Sequence, residues 1–246
     1  MCTLCFIPST KGYLIGMNRD EDRSRVAGIF RGVRRQESVS VIGPTEPSGG
    51  TWVAANEFGG AFALLNWYAK SGPDLMSPIS RGKLVRDVSF AQDFVEAGER
   101  IEQCSLDRFR PFRLLGFSGA TGEVREWRWD GLALEMKDHP WRRACWASSG
   151  YDEPGAQASR KKCFEKHDWP GGEEDSAALR EFHRGHRPGR GALSVCMHRE
   201  EAATVSYTEF EVTDTIVRAS YHAGAPCEEN GFVSAELERK GLNHDT

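Results

Sequence analysis

Cys2-Thr3-Leu4-Cys5-Phe6-Ile7, the turn Pro8-Ser9-Thr10-Lys11-Gly12, the run Tyr13-Leu14-Ile15-Gly16-Met17 and the quartet Asn18-Arg19-Asp20-Glu21 decide how this chain is read. Thr3–Ile7 and Tyr13–Met17 are apolar runs on either side of turn residues, a pattern that predicts a β-hairpin. A hairpin returns its second strand to the start of its first. The polar quartet is therefore expected beside Cys2, bringing a guanidinium and carboxylates to a thiol. By position alone Cys2 reads as an ordinary strand residue and the quartet as a solvated turn; the hairpin is what joins them.

Working outward, Val39–Ile42 is a short β-rich run. Thr51–Ala55 and Ala61–Tyr68 flank Asn56-Glu57-Phe58-Gly59-Gly60, whose paired glycines suit a turn needing positive φ. Helical spacing follows over 82–102, where Leu84, Val85 and Val88 share a face. Ser89-Phe90-Ala91-Gln92 matches a capping box before a second helical stretch through Phe94, Val95 and Ile101. Strand patterns return at Phe112–Phe117, Glu123–Trp129, Leu132–Lys137 and Cys145–Ser148. Asp152-Glu153-Pro154 predicts a helix start running to about His167, and Pro170-Gly171-Gly172 precedes a further helix over Glu173–His183. Leu193–His198, Thr204–Val212 and Ile216–Tyr221 read as strands, the first two joined across Arg199-Glu200-Glu201. Grouped strands and paired helices predict α+β architecture with antiparallel sheets, as one domain over residues 1–246. Strand–helix alternation and a glycine-rich phosphate loop are both missing, which argues against a doubly wound nucleotide-binding sheet.

The composition, 39% apolar and 28% charged with a net charge of −4, is that of a globular chain. Interspersed charge gives no electrostatic ground for nucleic-acid binding. Seven cysteines without framework spacing read as reduced thiols. With no signal-peptide pattern and no long apolar run, a cytoplasmic location without integral membrane association is expected.

The chemistry is expected at Cys2. A small second residue permits removal of Met1, which leaves an α-amine and a thiol on one residue. With reference pKa values of about 7.7–8.0 and about 8.5, the amine can take the thiol's proton. Asn66 closes an apolar strand and is either bonded to backbone or available as an oxyanion donor.

Other clusters carry less. Cys2 and Cys5 form a CxxC, but strand positions i and i+3 face opposite ways. Cys196 shares a face with His198, and His183 with His186, yet neither pair has a partner at zinc-finger spacing, so no metal site is expected. His183–Arg190 is a basic loop or an anion-binding rim. Trp52, Trp67, Trp127, Trp129, Trp141, Trp146 and Trp169 suit a core or an apolar ligand cavity.

Met1-Cys2-Thr3, Asn18-Arg19-Asp20-Glu21, Gly49-Gly50-Thr51-Trp52, Asn66 and Ser80-Arg81-Gly82 occur in the order seen in the NRDE, or transport and Golgi organisation, family. Cys196-Met197-His198-Arg199 and Thr204-Val205-Ser206-Tyr207 resemble its bacterial branch. The resemblance implies an N-terminal nucleophile (Ntn) hydrolase-like fold, a four-layer αββα sandwich. It is more distantly similar to choloylglycine hydrolase and penicillin V acylase, which hydrolyse linear amides.

By that resemblance Cys2, Arg19, Asp20 and Asn66 are the catalytic positions, with Asn18 and Glu21 in support. Arg19 and Asp20 are adjacent here, whereas two residues separate the acylases' arginine and aspartate. Which of Asp20 and Glu21 meets the amine stays open. Ser149 stands where the acylases carry a second oxyanion asparagine, and Arg187, Arg190 and Arg199 are the counterparts considered for their distal arginine. Two functions follow: cofactor-free hydrolysis of an amide in a small amphipathic molecule, or carriage of haem or a lipid-like ligand on the same scaffold.

Overall fold

The computed structural model describes residues 2–25, 28–36 and 38–241, so Met1, whose removal the sequence reading anticipates, lies outside the described residues. The chain begins with six strands, β1 (Cys2–Ser9), β2 (Gly12–Asp22), β3 (Val33–Gln36), β4 (Val39–Ile42), β5 (Val53–Asn56) and β6 (Gly60–Asn66). Helices α1 (Arg81–Val88) and α2 (Phe94–Glu102) follow. Then come β7 (Phe112–Ser118), β8 (Glu123–Trp129), β9 (Leu134–His139) and β10 (Ala144–Ser148). Helices α3 (Glu153–Glu165) and α4 (Asp175–Arg184) precede β11 (Ala202–Val212), β12 (Ile216–Ala223) and β13 (Phe232–Glu238).

Two antiparallel sheets result, ordered β10-β1-β2-β11-β12-β13 and β3-β4-β5-β6-β7-β8-β9. Leu4, Phe6, Tyr13, Ile15 and Met17 from the first sheet meet Val53, Ala55, Ala63, Leu115 and Phe117 from the second in one buried cluster between the sheets. The outer face of the second sheet packs Phe62, Leu114 and Trp127 against Leu84, Val85 and Val88 of α1 and Ala97 and Ile101 of α2. On the outer face of the first, Cys5, Ile7 and Leu14 meet Phe164 of α3 and Leu179 and Phe182 of α4. The layers are therefore helices, sheet, sheet, helices, the expected αββα sandwich. Cys2 and Cys5 do face opposite layers. Among the described residues no helix is long and apolar enough to cross a membrane.

Three local expectations are corrected. Ser89 caps no helix start: its Oγ donates to the Arg86 carbonyl and it ends α1. Asp93 is the cap of α2, its carboxylate accepting from the amides of Val95 and Glu96, while Glu96 accepts from the Gln92 amide. An ionised acceptor at that position satisfies two amides that a serine four residues earlier cannot reach. Leu193–His198 is not a strand, and only His198 makes a bridge, to Ala203. Its polar atoms are met locally, as when Ser194 Oγ donates to the Cys196 carbonyl. Strands β3 and β13 were not anticipated, since both are mostly exposed and lack a buried alternating face.

Helix α4 lies directly on β2 because Gly16 has no side chain. A Cβ there would stand 2.8 Å from the His183 ring and 3.0 Å from Leu179 Cγ. Gly98 in α2, by contrast, has open space around that position. Gly16→Ala is expected to destabilise the protein by about 1–3 kcal/mol through overpacking. Gly98→Ala should stabilise it by about 0.5–1 kcal/mol. Urea unfolding of the two variants checks both signs.

Candidate active site

The β1–β2 hairpin closes with Cys2 directly opposite Arg19. Strand alternation then assigns every residue of the quartet to a face. Arg19 and Glu21 point with Cys2 into the space between the sheets, and Asn18 and Asp20 point toward α3 and α4. Asn18 Nδ2 donates to the carbonyls of His183 and Val195, both at 2.9 Å, and so fastens the end of α4 to the strand.

Arg19 is 4% exposed and its guanidinium stands 4.2 Å from the centroid of the Trp52 ring. It also lies 2.5 Å from Glu46 and 3.4 Å from Glu21. Glu21 is shared with Arg25 at 2.7 Å. The GGTW segment is held in turn by the SRG segment. The Thr51 amide donates to the Gly82 carbonyl at 2.9 Å, and a Cβ on Gly50 would come within 3.0 Å of the Gly82 backbone. A Cβ at either position would crowd the facing backbone at 3.0 Å, so glycine at both eases this close approach. The motifs that are scattered through the sequence therefore form one wall.

Behind that wall lies an arginine the sequence reading did not name. Arg160 of α3 is fully buried, with Nη1 at 3.0 Å from Asp20 Oδ2, 2.8 Å from Thr3 Oγ1 and 3.3 Å from the Cys2 carbonyl oxygen. Thr204 Oγ1 donates to Asp20 Oδ1 at 2.6 Å. A signal was present: Glu153, Ala156, Arg160 and Phe164 mark the buried stripe of α3 at helical spacing, so a charge falls where a core residue belongs. The three candidate counterparts of the acylases' distal arginine lie elsewhere. Arg187 and Arg190 are exposed, Arg190 beside His198, and Arg199 stacks on Tyr151.

Cys2 lines a cleft of about 330 Å³ together with Arg19, Glu21, Trp52, Asn66 and Arg81. Asn66 ends β6, and its Nδ2 donates to the Tyr68 hydroxyl at 2.8 Å. Ser149 follows Ser148, the register partner of Cys2 on β10. It is buried, its Oγ accepts from the amides of Tyr151 and Asp152, and it is not part of the cleft wall. Burial pushes the Cys2 thiol pKa up and the Asp20 carboxylate adds to this, while the nearby Asp20 backbone and the Arg19 charge pull it down. The net direction is upward, so at neutrality the thiol keeps its proton unless a base takes it.

The fold is similar to the crystal structure of the C2A mutant of conjugated bile acid hydrolase from Clostridium perfringens, with a TM-score of 0.57, 13% identity and coverage of 100% of both chains. It is also similar to penicillin V acylase from Agrobacterium tumefaciens, with a TM-score of 0.54, 13% identity and coverage of 91% of this chain and 83% of that one. No curated protein matches the sequence. The family model described as Transport and Golgi organisation 2 matches residues 1–126, the segment that carries Cys2, the NRDE quartet, GGTW, Asn66 and SRG. On an Ntn-hydrolase fold, the chain belongs to the Transport and Golgi organisation 2 family.

Proposed function

We propose that the protein hydrolyses the amide bond of a small amphipathic molecule, with Cys2 as nucleophile once Met1 is removed. The observation that carries this reading is the surrounding of the sulfur: a buried thiol on a strand end that lines the cleft, directly opposite Arg19 on the same face of the sheet. The α-amine of Cys2 takes the thiol proton, and the thiolate attacks the carbonyl carbon. The oxyanion is met by Asn66, whose amide leaves the exposed Tyr68 hydroxyl for it. Collapse breaks the C–N bond as the ammonium returns its proton to the leaving amine. Water, deprotonated by the same amine, then cleaves the thioester. Asp20, held by Arg160 and Thr204, orients the amine. Glu21 is spent on Arg19 and Arg25.

The cleft walls also suggest which amides fit. Arg81 and Arg110 line it, and among the described residues neither pairs with a carboxylate. An acyl group of modest size joined to an amine that bears a carboxylate meets both guanidiniums and the Trp52 ring.

Cys2→Ala is expected to abolish turnover of N-acyl amino acids while leaving the fold intact; full residual turnover would overturn the mechanism, as would an intact mass that still includes Met1. Carriage of haem predicts instead a saturable Soret change that survives in Cys2→Ala.

Asn66→Ala is expected to lower kcat by about 10²–10³-fold as an oxyanion donor is lost. Arg81→Gln should raise KM about tenfold or more for carboxylate-bearing substrates, the loss of a charged hydrogen bond of ~1.5–3 kcal/mol, and leave neutral amides unaffected.

The pH dependence of Cys2 alkylation reports on the base. In an N-terminally extended form the raised thiol pKa puts the half-point above about 8.5, and the rate falls as pH drops through it. The processed form should react at lower pH, because its own amine takes the proton. Coincident profiles would remove the amine from the mechanism.

A further inference from the structure

On the side of the first sheet away from the cleft, four side chains from three separate segments converge. His186 follows α4, Cys196 and His198 lie on the irregular stretch before β11, and Cys227 sits in the connection from β12 to β13. One ligand atom from each lies within 4.8 Å of the other three. His198 Nε2 is 3.2 Å from His186 Nε2, 3.4 Å from Cys196 Sγ and 3.4 Å from Cys227 Sγ.

We propose that His186, Cys196, His198 and Cys227 form a closed, tetrahedral Cys2His2 site for zinc. Zn–N bonds of about 2.0–2.1 Å and Zn–S bonds of about 2.3 Å give a tetrahedron with N···N edges of about 3.3–3.4 Å and N···S edges of about 3.5–3.6 Å. The three distances from His198 lie within about 0.2 Å of those edges, and with all four ligand atoms within 4.8 Å of one another the longest edge has to shorten by about 1 Å when a metal draws the side chains in. Two thiolates and two neutral imidazoles neutralise a divalent cation and select zinc over harder ions. Four protein ligands leave no open position, so the role is structural rather than catalytic. Cysteine and histidine at these depths, one buried and three half-buried, leave an entry path from solvent.

The backbone around the cluster is fixed without help from a metal. The Cys196 amide donates to the Gly185 carbonyl at 2.9 Å, and the His198 amide to the Gly191 carbonyl at 3.2 Å. One neighbour must move. Arg190 Nη2 stands 3.4 Å from His198 Nδ1, and a metal on Nε2 puts the ring proton on Nδ1. Arg190 is exposed and turns away into water. The spacing His-x9-Cys-x-His-x28-Cys resembles no zinc-finger signature, which is why pairs read from sequence did not reveal it. His183, which by spacing could share a helical face with His186, does not form part of it. His183 is fully buried under Tyr207 and against Gly16.

The test uses the full chain, purified without chelator. Elemental analysis is expected to find about one zinc per chain. Cobalt(II) titrated into the chelator-stripped protein should give saturable visible ligand-field bands of tetrahedral intensity and a thiolate charge-transfer band. Cys227→Ser and His186→Gln should each weaken binding by more than the ~10–100-fold that follows loss of a mere supporting hydrogen bond. Cys104→Ser, outside the cluster, should leave the spectrum unchanged. Absence of a saturable band, an unaltered band in both ligand variants, or a native mass showing Cys196 and Cys227 joined as a disulfide would each overturn the site. None of these readouts depends on hydrolytic activity.

Discussion

Successive side chains of a strand must face opposite ways, and the site depends on that constraint acting in β2. With Cys2 locked opposite Arg19 by the hairpin, the four letters of the quartet are divided into two jobs. Arg19 and Glu21 build the cleft, and Asn18 and Asp20 bind the strand to the helices behind it. A slip of one residue would send Arg19 into the α3–α4 layer and Asp20 between the sheets. Burying Asp20 and Arg160 together carries a desolvation cost that their attraction offsets in part, helped by hydrogen bonds from Thr204 to Asp20 and from Arg160 Nη1 to Thr3 and the Cys2 carbonyl, while Arg160 Nε and Nη2 find no partner among the described residues. The outcome is that the backbone carbonyl of Cys2 is pinned by a helix.

The second wall of the cleft is a matter of close approach. Gly50 and Gly82 let the GGTW turn and the start of α1 meet backbone to backbone, and the Thr51 hydroxyl, donating to the Pro44 carbonyl, ties that turn down. Trp52 can then lie flat under Arg19, a stacking that a lysine's point charge would satisfy less well. Arg81 is delivered to the cleft by the same contact, since it stands next to Gly82. Glycines far from any reacting atom therefore determine where two guanidiniums sit.

Much of this was legible in the residues. The hairpin, the paired helices and the two-sheet arrangement follow from local patterns, and the motif order resembled a family whose fold the chain shares. What escaped was non-local. Arg160 acts on Cys2 from 158 positions away, and the only trace in the sequence is its place in the stripe of α3. Leu193–His198 alternates like a strand, yet its backbone is engaged by side chains and by Gly185 and Gly191, so propensity lost to local hydrogen bonding. Cys227 lies 29 positions from His198, and no pairwise spacing rule joins them.

The bulge in β11 resolves a conflict that the quartet creates. Thr204 pairs with Asp20 and Ser206 with Arg19, so two residues of β11 that would ordinarily share a face are set against neighbours on β2 that do not. Ser206, Phe210 and Val212 are spaced for one face, and Phe210 and Val212 lie in the cluster between the sheets. A regular strand would put Thr204 there as well, away from the Asp20 carboxylate. One extra residue at Val205 turns it over. Thr204 Oγ1 then donates to Asp20 and accepts the Met197 amide, the residue between Cys196 and His198. A single irregularity in one strand thus links the carboxylate behind Cys2 to the segment that carries half of the proposed zinc ligands.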